Sequence, residues 1–489
     1  MARVRVVKGG NRRASEQRAE ERRATDAGDE QRSAGGRRDA VARRASAARR
    51  AAFEVLRRVE DEGAFAAPLL ASVAEELRAD DRALCHELVL GCLRRQLWLD
   101  RLTERYAGRA AATLDAPVRR ALRLGLYQLR FLSRVPASAA VNESVNLMHE
   151  AQARGAAGFV NAVLRRATRE PGLDPAADIA DPLERLSVET SHPLWLLSRW
   201  ASAFGLEEAA RFARANNERT PVAFRVNRLR GGAEETLGRV REAGGAVVES
   251  RFAPGAWRVE DGGARVNAVL RELSAAGAIY MQDEASQLVA HVLGARAGER
   301  VLDACAAPGS KTTHLAALAG DAAVVVAGDR HEHRLRLVRE AAERQGLRSV
   351  RAVVHDAEAG LPYADQTFDR VLVDAPCTGT GTLRHNPEIR WRITSADIEE
   401  LAARQRRILG EAARVVRRGG RLVYSTCSVE PEENEHVVRS FLAESEGFAP
   451  VPPEHAAARL LTDTGAARTW PHRDDADGFF VAAFERTKL

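Results

Sequence analysis

Two cysteines hold the most reactive side chains in suggestive places. Cys377 ends the stretch FDRVLVDAPC, and Cys427 ends RLVYSTC, 427 − 377 = 50 residues later. Each follows an apolar run that reads as a buried strand, and each lies among polar residues beyond that run. Thiols at the ends of adjacent strands can converge on one pocket. A pyrimidine ring is one target that needs such a nucleophile. Carbon 5 of cytosine is too weak a nucleophile to take a methyl group directly, but a thiolate added to carbon 6 makes carbon 5 enamine-like. Methyl transfer, loss of the carbon 5 proton and elimination of the thiolate then complete a covalent cycle. Asp374, three residues before Cys377, is positioned to hydrogen-bond the N3 edge of the ring and stabilise charge developing there. Chemistry alone leaves open which of the two sulfurs attacks.

A second motif supplies a place for a cofactor. In VLDACAAPGSKTTHLAAL a buried strand ends at Asp303, a tight turn follows, and a helix starts near Lys311. Strand, turn and helix N-terminus together make a nucleotide-binding corner. A triphosphate loop would need glycine at positions 305 and 310, where Cys305 and Ser310 stand, and the dinucleotide glycine fingerprint is absent as well. A ligand without a diphosphate, such as S-adenosylmethionine, suits this corner. Cys305, Ala306, Ala307, Pro308, Gly309, Ser310 and Lys311 are its expected lining. Asp329 closes the next strand, 329 − 303 = 26 residues on, where a carboxylate can accept from ribose hydroxyls. Asp356 ends the third strand, at the adenine position. Lys311 is also the only lysine away from the chain ends; the other two are Lys8 and Lys488, against 71 arginines.

These residues require a parallel sheet to present them. ERVLDACA, AAVVVAGD, VRAVVHD, FDRVLVDAP and GRLVYSTCS are five strand candidates separated by helical segments, as a doubly wound α/β domain over 281–489 demands. Asp283 is the expected N-cap of its first helix. Residues 46–170 are helical throughout, with Ala52, Val55, Leu56 and Val59 on one stripe and Cys85 and Cys92 sharing a face as small core hydrophobes. Residues 171–280 begin with a Pro/Asp-rich linker, continue with helices around Leu194 to Asn217, and then form a small α+β module in which PVAFRVNRL and AWRVE are strands. Arg384, Asn386, Arg390 and Trp391 follow Cys377 in a Gly/Thr-rich segment; Arg can pair phosphates and Trp can stack on an unpaired base, so they are expected RNA contacts.

Composition removes several classes. Hydrophobic residues make up 45% and charged residues 29% of 489, as in an ordinary globular protein. No run of eighteen apolar residues predicts a membrane span, the N-terminus is not a secretory signal, and five unevenly spaced cysteines make no disulfide framework. A cytoplasmic, monomeric protein without a metal centre is expected. Residues 1–50 hold 15 Lys/Arg and 7 Asp/Glu, a local +8, so the remainder carries 6 − 8 = −2. Residues 1–45 lack large apolar side chains, predicting a disordered basic tail able to add salt-sensitive affinity for nucleic acid.

Two resemblances sharpen these expectations. Leu126-Tyr127-Gln128-Leu129, Ala140-Val141-Asn142-Glu143-Ser144-Val145 and the run Gly158 to Arg165 (GFVNAVLR) resemble the NusB-like helical RNA-binding domain. CAAPGSKTTH, DAPCTGTG, RHNPEIRW, YSTCS and DGFFVA resemble the Sun family of RNA cytosine-5 methyltransferases. The second resemblance implies a Rossmann-like domain that binds S-adenosylmethionine through Cys305 to Lys311, Asp329, Asp356 and Asp374. It further implies Cys427 as the nucleophile and Cys377 as the residue that assists product release, whereas DNA cytosine-5 methyltransferases attack with the Pro-Cys cysteine, which would be Cys377. Ser310 departs from the family, which usually has a second glycine there. The NusB-like domain points by analogy to 16S ribosomal RNA as the substrate; transfer RNA and a non-catalytic assembly role are the alternatives.

Overall fold

The computed structural model describes residues 44–487. Nearly all of the tail expected to be disordered lies outside the described residues. The chain divides into two compact units. The first comprises the described residues up to Ala64 together with Leu70–Cys92 and Leu99–Asp174; the second comprises Phe65–Leu69, Leu93–Trp98 and everything from Pro175.

The first unit is all helical, with long helices at Ala47–Asp61, Ala116–Phe131, Ala137–Glu150 and Ala157–Arg169. The predicted stripe of Ala52, Val55, Leu56 and Val59 is buried, and so are both cysteines. Burial pushes the Cys85 thiol up to about 11, as for a thiol that packs rather than reacts. Two nearly buried arginines tie helices together. Arg123 reaches Asp100 at 2.6 Å and also pairs Glu60, while Arg120 meets Glu60 at 2.9 Å and Asp61 at 2.7 Å.

The second unit carries two sheets. In the smaller, β1 (Val222–Val226), β2 (Ala246–Glu249), β3 (Ala256–Asp261) and β4 (Ile279–Met281) pair antiparallel in the order β2-β3-β1-β4. Helices Ala233–Glu242 and Ala264–Ala275 cover it, their Leu237, Val240, Val266 and Leu270 packing on Phe224 and Ile279. The sequence pattern marked β1 and β3. It missed β2 and β4, which are four and three residues long and too short to show alternation.

The larger sheet has eight strands. β5 (Arg300–Asp303), β6 (Val324–Asp329), β7 (Val350–Val354), β8 (Phe368–Asp374) and β9 (Val416–Thr426) are the five predicted strands, and all five run parallel. β10 (Phe448–Val451), β11 (Ala467–Arg468) and β12 (Phe480–Arg486) add an antiparallel edge that the sequence reading did not foresee. The order is β10-β12-β9-β8-β5-β6-β7, with β11 on β12. Connections from β5 run outward through β6 and β7, and those on the other side through β8 and β9. The direction of winding therefore reverses between β5 and β8, and the crevice beyond their carboxyl ends is where such sheets bind ligands. Val301, Leu302, Val371, Leu372 and Val373 are fully buried, so the centre of the sheet is a rigid base for that crevice.

Local capping fixes how the helices enter. Asp283 caps Glu284–Leu293 by accepting the Ala285 N–H at 2.8 Å, as expected. Thr394 and Asp397 form a capping box on Ser395–Val415, the helix that packs under β8.

Candidate active site

The cofactor corner follows from the end of β5. Asp303 is buried; its Oδ2 accepts the Thr312 hydroxyl at 2.7 Å, while its Oδ1 is buried with no partner. Burial first, and then the neighbouring Asp374, push its carboxyl up to about 7. Gly309 turns the chain into helix Ser310–Leu318 with φ +105°, and a Cβ there would lie 3.0 Å from the Val338 backbone. Only glycine combines that conformation with that approach. The loop is tied to β6 by the Ala306 N–H donating to the Gly328 carbonyl at 2.7 Å.

The other acids sit at successive strand ends. Asp329, the last residue of β6, accepts the His331 N–H at 2.9 Å and pairs Arg334 at 3.2 Å. Asp356 lies two residues beyond β7 rather than at its end, and accepts the Glu358 N–H at 3.0 Å. Cys305 is surrounded by these carboxyls: burial pushes its thiol well up, and Asp303, Asp374 and Asp329 add to that. Its structural surroundings are those of a lining residue, not of a nucleophile.

The two sulfurs meet beyond β8 and β9. The Cys377 and Cys427 Sγ atoms are 3.4 Å apart, and both line a cleft of ≈ 510 Å³ whose apolar wall includes Phe65, Ile389 and Leu401. Asp374, at the end of β8, accepts from Lys311 Nζ at 2.8 Å and from the Ser425 hydroxyl at 2.8 Å. Burial works against the Lys311 charge, but Asp374 outweighs it, with Cys427 and Asp303 contributing, and the ammonium is held above its ordinary range. The Phe479 ring lies 5.1 Å from the same ammonium. One buried cation thus bridges the cofactor corner and the thiols.

The backbone around the sulfurs is tightly laced. Gly381 N–H donates to the Cys427 carbonyl and Gly478 N–H to the Gly381 carbonyl, both at 2.9 Å. A Cβ at Gly381 would fall 2.0 Å from the Gly478 oxygen. Gly381 of TGTG and Gly478 of DGFF are therefore explained by the approach of two backbones.

The expected RNA contacts need correction. Arg384 is 1% exposed and donates to the Arg219 carbonyl and to Asp475, each at 2.8 Å. Arg390 is fully buried, held by Asn217 at 2.9 Å and by the carbonyls of Ser191 and Asn216 at 3.2 and 3.3 Å. Helix ends there leave carbonyls without intrahelical partners, and a buried guanidinium satisfies them. These two arginines hold the protein together, and their burial keeps them from meeting a phosphate. Asn386 lines the cleft, donating to the Thr382 hydroxyl at 3.2 Å, and Trp391 is half-buried.

One residue that the sequence reading overlooked lies at the centre. Glu433, in VEPEENE, is completely buried and accepts from Thr378 N–H at 2.9 Å, Gln405 Nε2 at 3.0 Å, and the hydroxyls of Thr378 and Ser428.

A doubly wound sheet with a nucleotide corner lacking a phosphate loop, and acids at its strand ends, defines a Rossmann-like methyltransferase domain. Family comparison narrows the class. The 16S rRNA methyltransferase RsmB/F family matches residues 290–485, the NusB family residues 46–169, and the ferredoxin-like domain of RsmF/B-like methyltransferases residues 192–267. The probable ribosomal RNA small subunit methyltransferase B of Bacillus subtilis is 35% identical over 445 residues, 89% of this chain and 98% of that protein. The ribosomal RNA small subunit methyltransferase B of Pseudomonas putida is 36% identical over 413 residues, covering 82% and 90%. The crystal structure of PH0851 superimposes with a TM-score of 0.78 at 29% identity, covering 90% of this chain and 98% of the other. The chain belongs to the RsmB/F family, whose members are S-adenosylmethionine-dependent methyltransferases. Among the described residues, no helix is long and apolar enough to cross a membrane.

Proposed function

We propose that this protein methylates carbon 5 of a cytosine in 16S ribosomal RNA through a covalent adduct with Cys427. The observation that carries the reading is the pair of sulfurs 3.4 Å apart, beside the Lys311–Asp374 ion pair and at the mouth of the cofactor corner. An enzyme methylating an exocyclic amine has no need of either thiol.

The corner fits S-adenosylmethionine. The unpartnered buried oxygen of Asp303 offers an acceptor to a cationic ligand, and the close turn at Gly309 lets backbone approach it. Cys305 to Lys311, Asp329, Asp356 and Asp374 would hold it. When bound, it supplies a methyl group on a positively charged sulfur.

The protein's own residues then divide the work. Cys427 adds as thiolate to carbon 6, and the ring electrons displaced toward carbon 5 form the new carbon–methyl bond. Asp374, already accepting from Lys311, suits the amino group beside N3, and the ammonium of Lys311 offsets the negative charge that the ring gains. Elimination restores the ring: the carbon 5 proton leaves to water, and its bonding pair re-forms the double bond as the carbon–sulfur bond breaks. Cys377 serves that step by offering its S–H to the departing Cys427 sulfur. The neighbouring Cys427, and then burial, hold the Cys377 thiol well above its ordinary range, so that it keeps its S–H and can donate a hydrogen bond to that sulfur. A base must leave its stack to reach both sulfurs, so an unpaired or distorted site is the expected target.

Cys377→Ser should leave a stalled covalent complex with RNA, visible as a gel-retarded band, and Cys427→Ser should not. The reverse pattern would exchange the two roles. Bisulfite sequencing of total RNA from a deletion strain tests the substrate: one 5-methylcytosine should vanish from 16S RNA. A loss confined to transfer RNA would refute the ribosomal assignment.

A further inference from the structure

We propose that Glu433 is a positioning residue of the two-thiol site, its carboxylate setting the separation of the sulfurs and dividing their duties between them. The inference rests on the covalent reading above, and it starts from which residues the carboxylate holds. Thr378 directly follows Cys377, and Ser428 directly follows Cys427. Glu433 accepts from both: Oε1 takes the Thr378 N–H at 2.9 Å, and Oε2 takes the hydroxyls of Thr378 and Ser428. Those hydroxyls also touch each other at 3.1 Å. Gln405, from helix Ser395–Val415, donates to Oε1 at 3.0 Å and to the Pro376 carbonyl at 2.9 Å, so the residue before Cys377 is held by the same network. Tyr424 fixes the backbone of Glu433 by donating to its carbonyl at 2.6 Å.

The protonation state follows from this partner set. Every group around the carboxyl is a donor, which suits an ionised carboxylate that only accepts. Burial holds Glu433 above the ordinary carboxylate range, with Ser428, Thr378 and Gln405 opposing it only in part. When ionised, the carboxylate is one buried negative charge supported by four hydrogen bonds.

That charge falls unevenly on the two thiols. The groups acting on Cys377 are Cys427, Glu433 and Asp374, all of which favour keeping its proton. Tyr424, held well above its ordinary range by burial, faces Cys377, Glu433 and Asp374 from β9. Cys427 instead faces the ammonium of Lys311. Asp477 also faces Cys427, but burial and Asp283 hold its carboxyl well above the usual range, which weakens any opposing charge. Glu433 on one side and Lys311 on the other thus place two chemically identical side chains in different electrostatic surroundings. Cys377 stays a thiol able to donate a hydrogen bond, and Cys427 is left as the nucleophile.

Two substitutions separate charge from geometry in the full-length protein. Glu433→Gln keeps size and an acceptor oxygen but removes the charge; Glu433→Asp keeps the charge on a shorter arm. Alkylation of each cysteine by iodoacetamide is followed against pH by peptide mass spectrometry. Glu433→Gln should lower the alkylation midpoint of Cys377 by about one pH unit, the size of an ordinary single-charge effect. The Cys427 midpoint should move less. Glu433→Asp should hold the Cys377 midpoint while lowering kcat at unchanged KM for RNA. S-adenosylmethionine affinity, measured by calorimetry, should stay within twofold in both and so report an intact fold. Equal midpoint shifts at both cysteines, or no shift at Cys377 in a folded Glu433→Gln protein, would overturn the proposal. A failure of the underlying covalent chemistry shows separately, as no RNA adduct in Cys377→Ser whatever stands at 433.

Discussion

At the scale of single residues, the site is organised by buried charges. Asp303 shows how such a charge becomes measurable. Its carboxyl, pushed up to about 7 by burial, would titrate near 3.9 in an unfolded chain. The folded state therefore prefers the proton. The stability that this group contributes is full below about pH 4 and is lost as pH rises through about 7. Asp303→Asn never ionises, so its melting temperature should gain on that of the parent between pH 5 and 8, measured by scanning fluorimetry without cofactor. A difference that stays flat over that range would mean that Asp303 ionises as freely inside the protein as outside.

Residues also show where the sequence was legible. The two thiols could be found because a cysteine just past an apolar strand, among polar neighbours, is out of place as a core residue. Glu433 could not. In VEPEENE it looks like part of an acidic surface turn, and the donors that bury it come from Thr378, Gln405 and Ser428, two of them distant in sequence. Arg384 and Arg390 were misread for the mirror-image reason. An arginine in a Gly/Thr-rich segment looks exposed, and the carbonyls that draw Arg390 inward belong to residues 191 and 216, which nothing in the local pattern announces.

At the scale of elements, the parallel strands were readable because each carries a short valine- or leucine-rich run, such as Val371-Leu372-Val373, which is fully buried at the sheet centre. The antiparallel edge was not. β10 carries Pro450 and is four residues long, and β11 has only two; their existence depends on β12 being there to pair with. That edge matters to the site, because the segment leading into β12 supplies Gly478. Gly381→Ala should abolish methylation although no reacting side chain is changed, since its Cβ would meet the Gly478 oxygen at 2.0 Å. Circular dichroism should show the fold retained and the Cys377→Ser adduct should no longer form in the double variant. Activity within threefold of the parent would show that the loops can part without moving the sulfurs.

At the scale of the whole molecule, charge is unevenly spread. Residues 1–43 hold 12 Lys/Arg against 7 Asp/Glu, most of the basic excess of a chain whose remainder beyond residue 50 is at −2. Sequence-independent affinity for RNA depends on such excess through counterion release. Removing residues 1–43 should flatten the salt dependence of RNA binding, read by fluorescence anisotropy between 50 and 200 mM salt, and leave methylation at saturating RNA nearly unchanged. An unaltered slope would assign the phosphate contacts to the folded units. The three-part architecture was legible at this scale because helical, mixed and doubly wound segments differ in period, not merely in composition.

The preponderance of arginine has a practical consequence. Lys311 is the only lysine among the described residues, and it is paired to Asp374 between the cofactor corner and the thiols. A sample grown with isotope-labelled lysine would therefore give an NMR spectrum of three side-chain signals. Two come from the chain ends, and the third is a built-in reporter placed at the reaction centre. Its shift would follow cofactor and RNA arriving at the site, with no probe attached and no residue replaced.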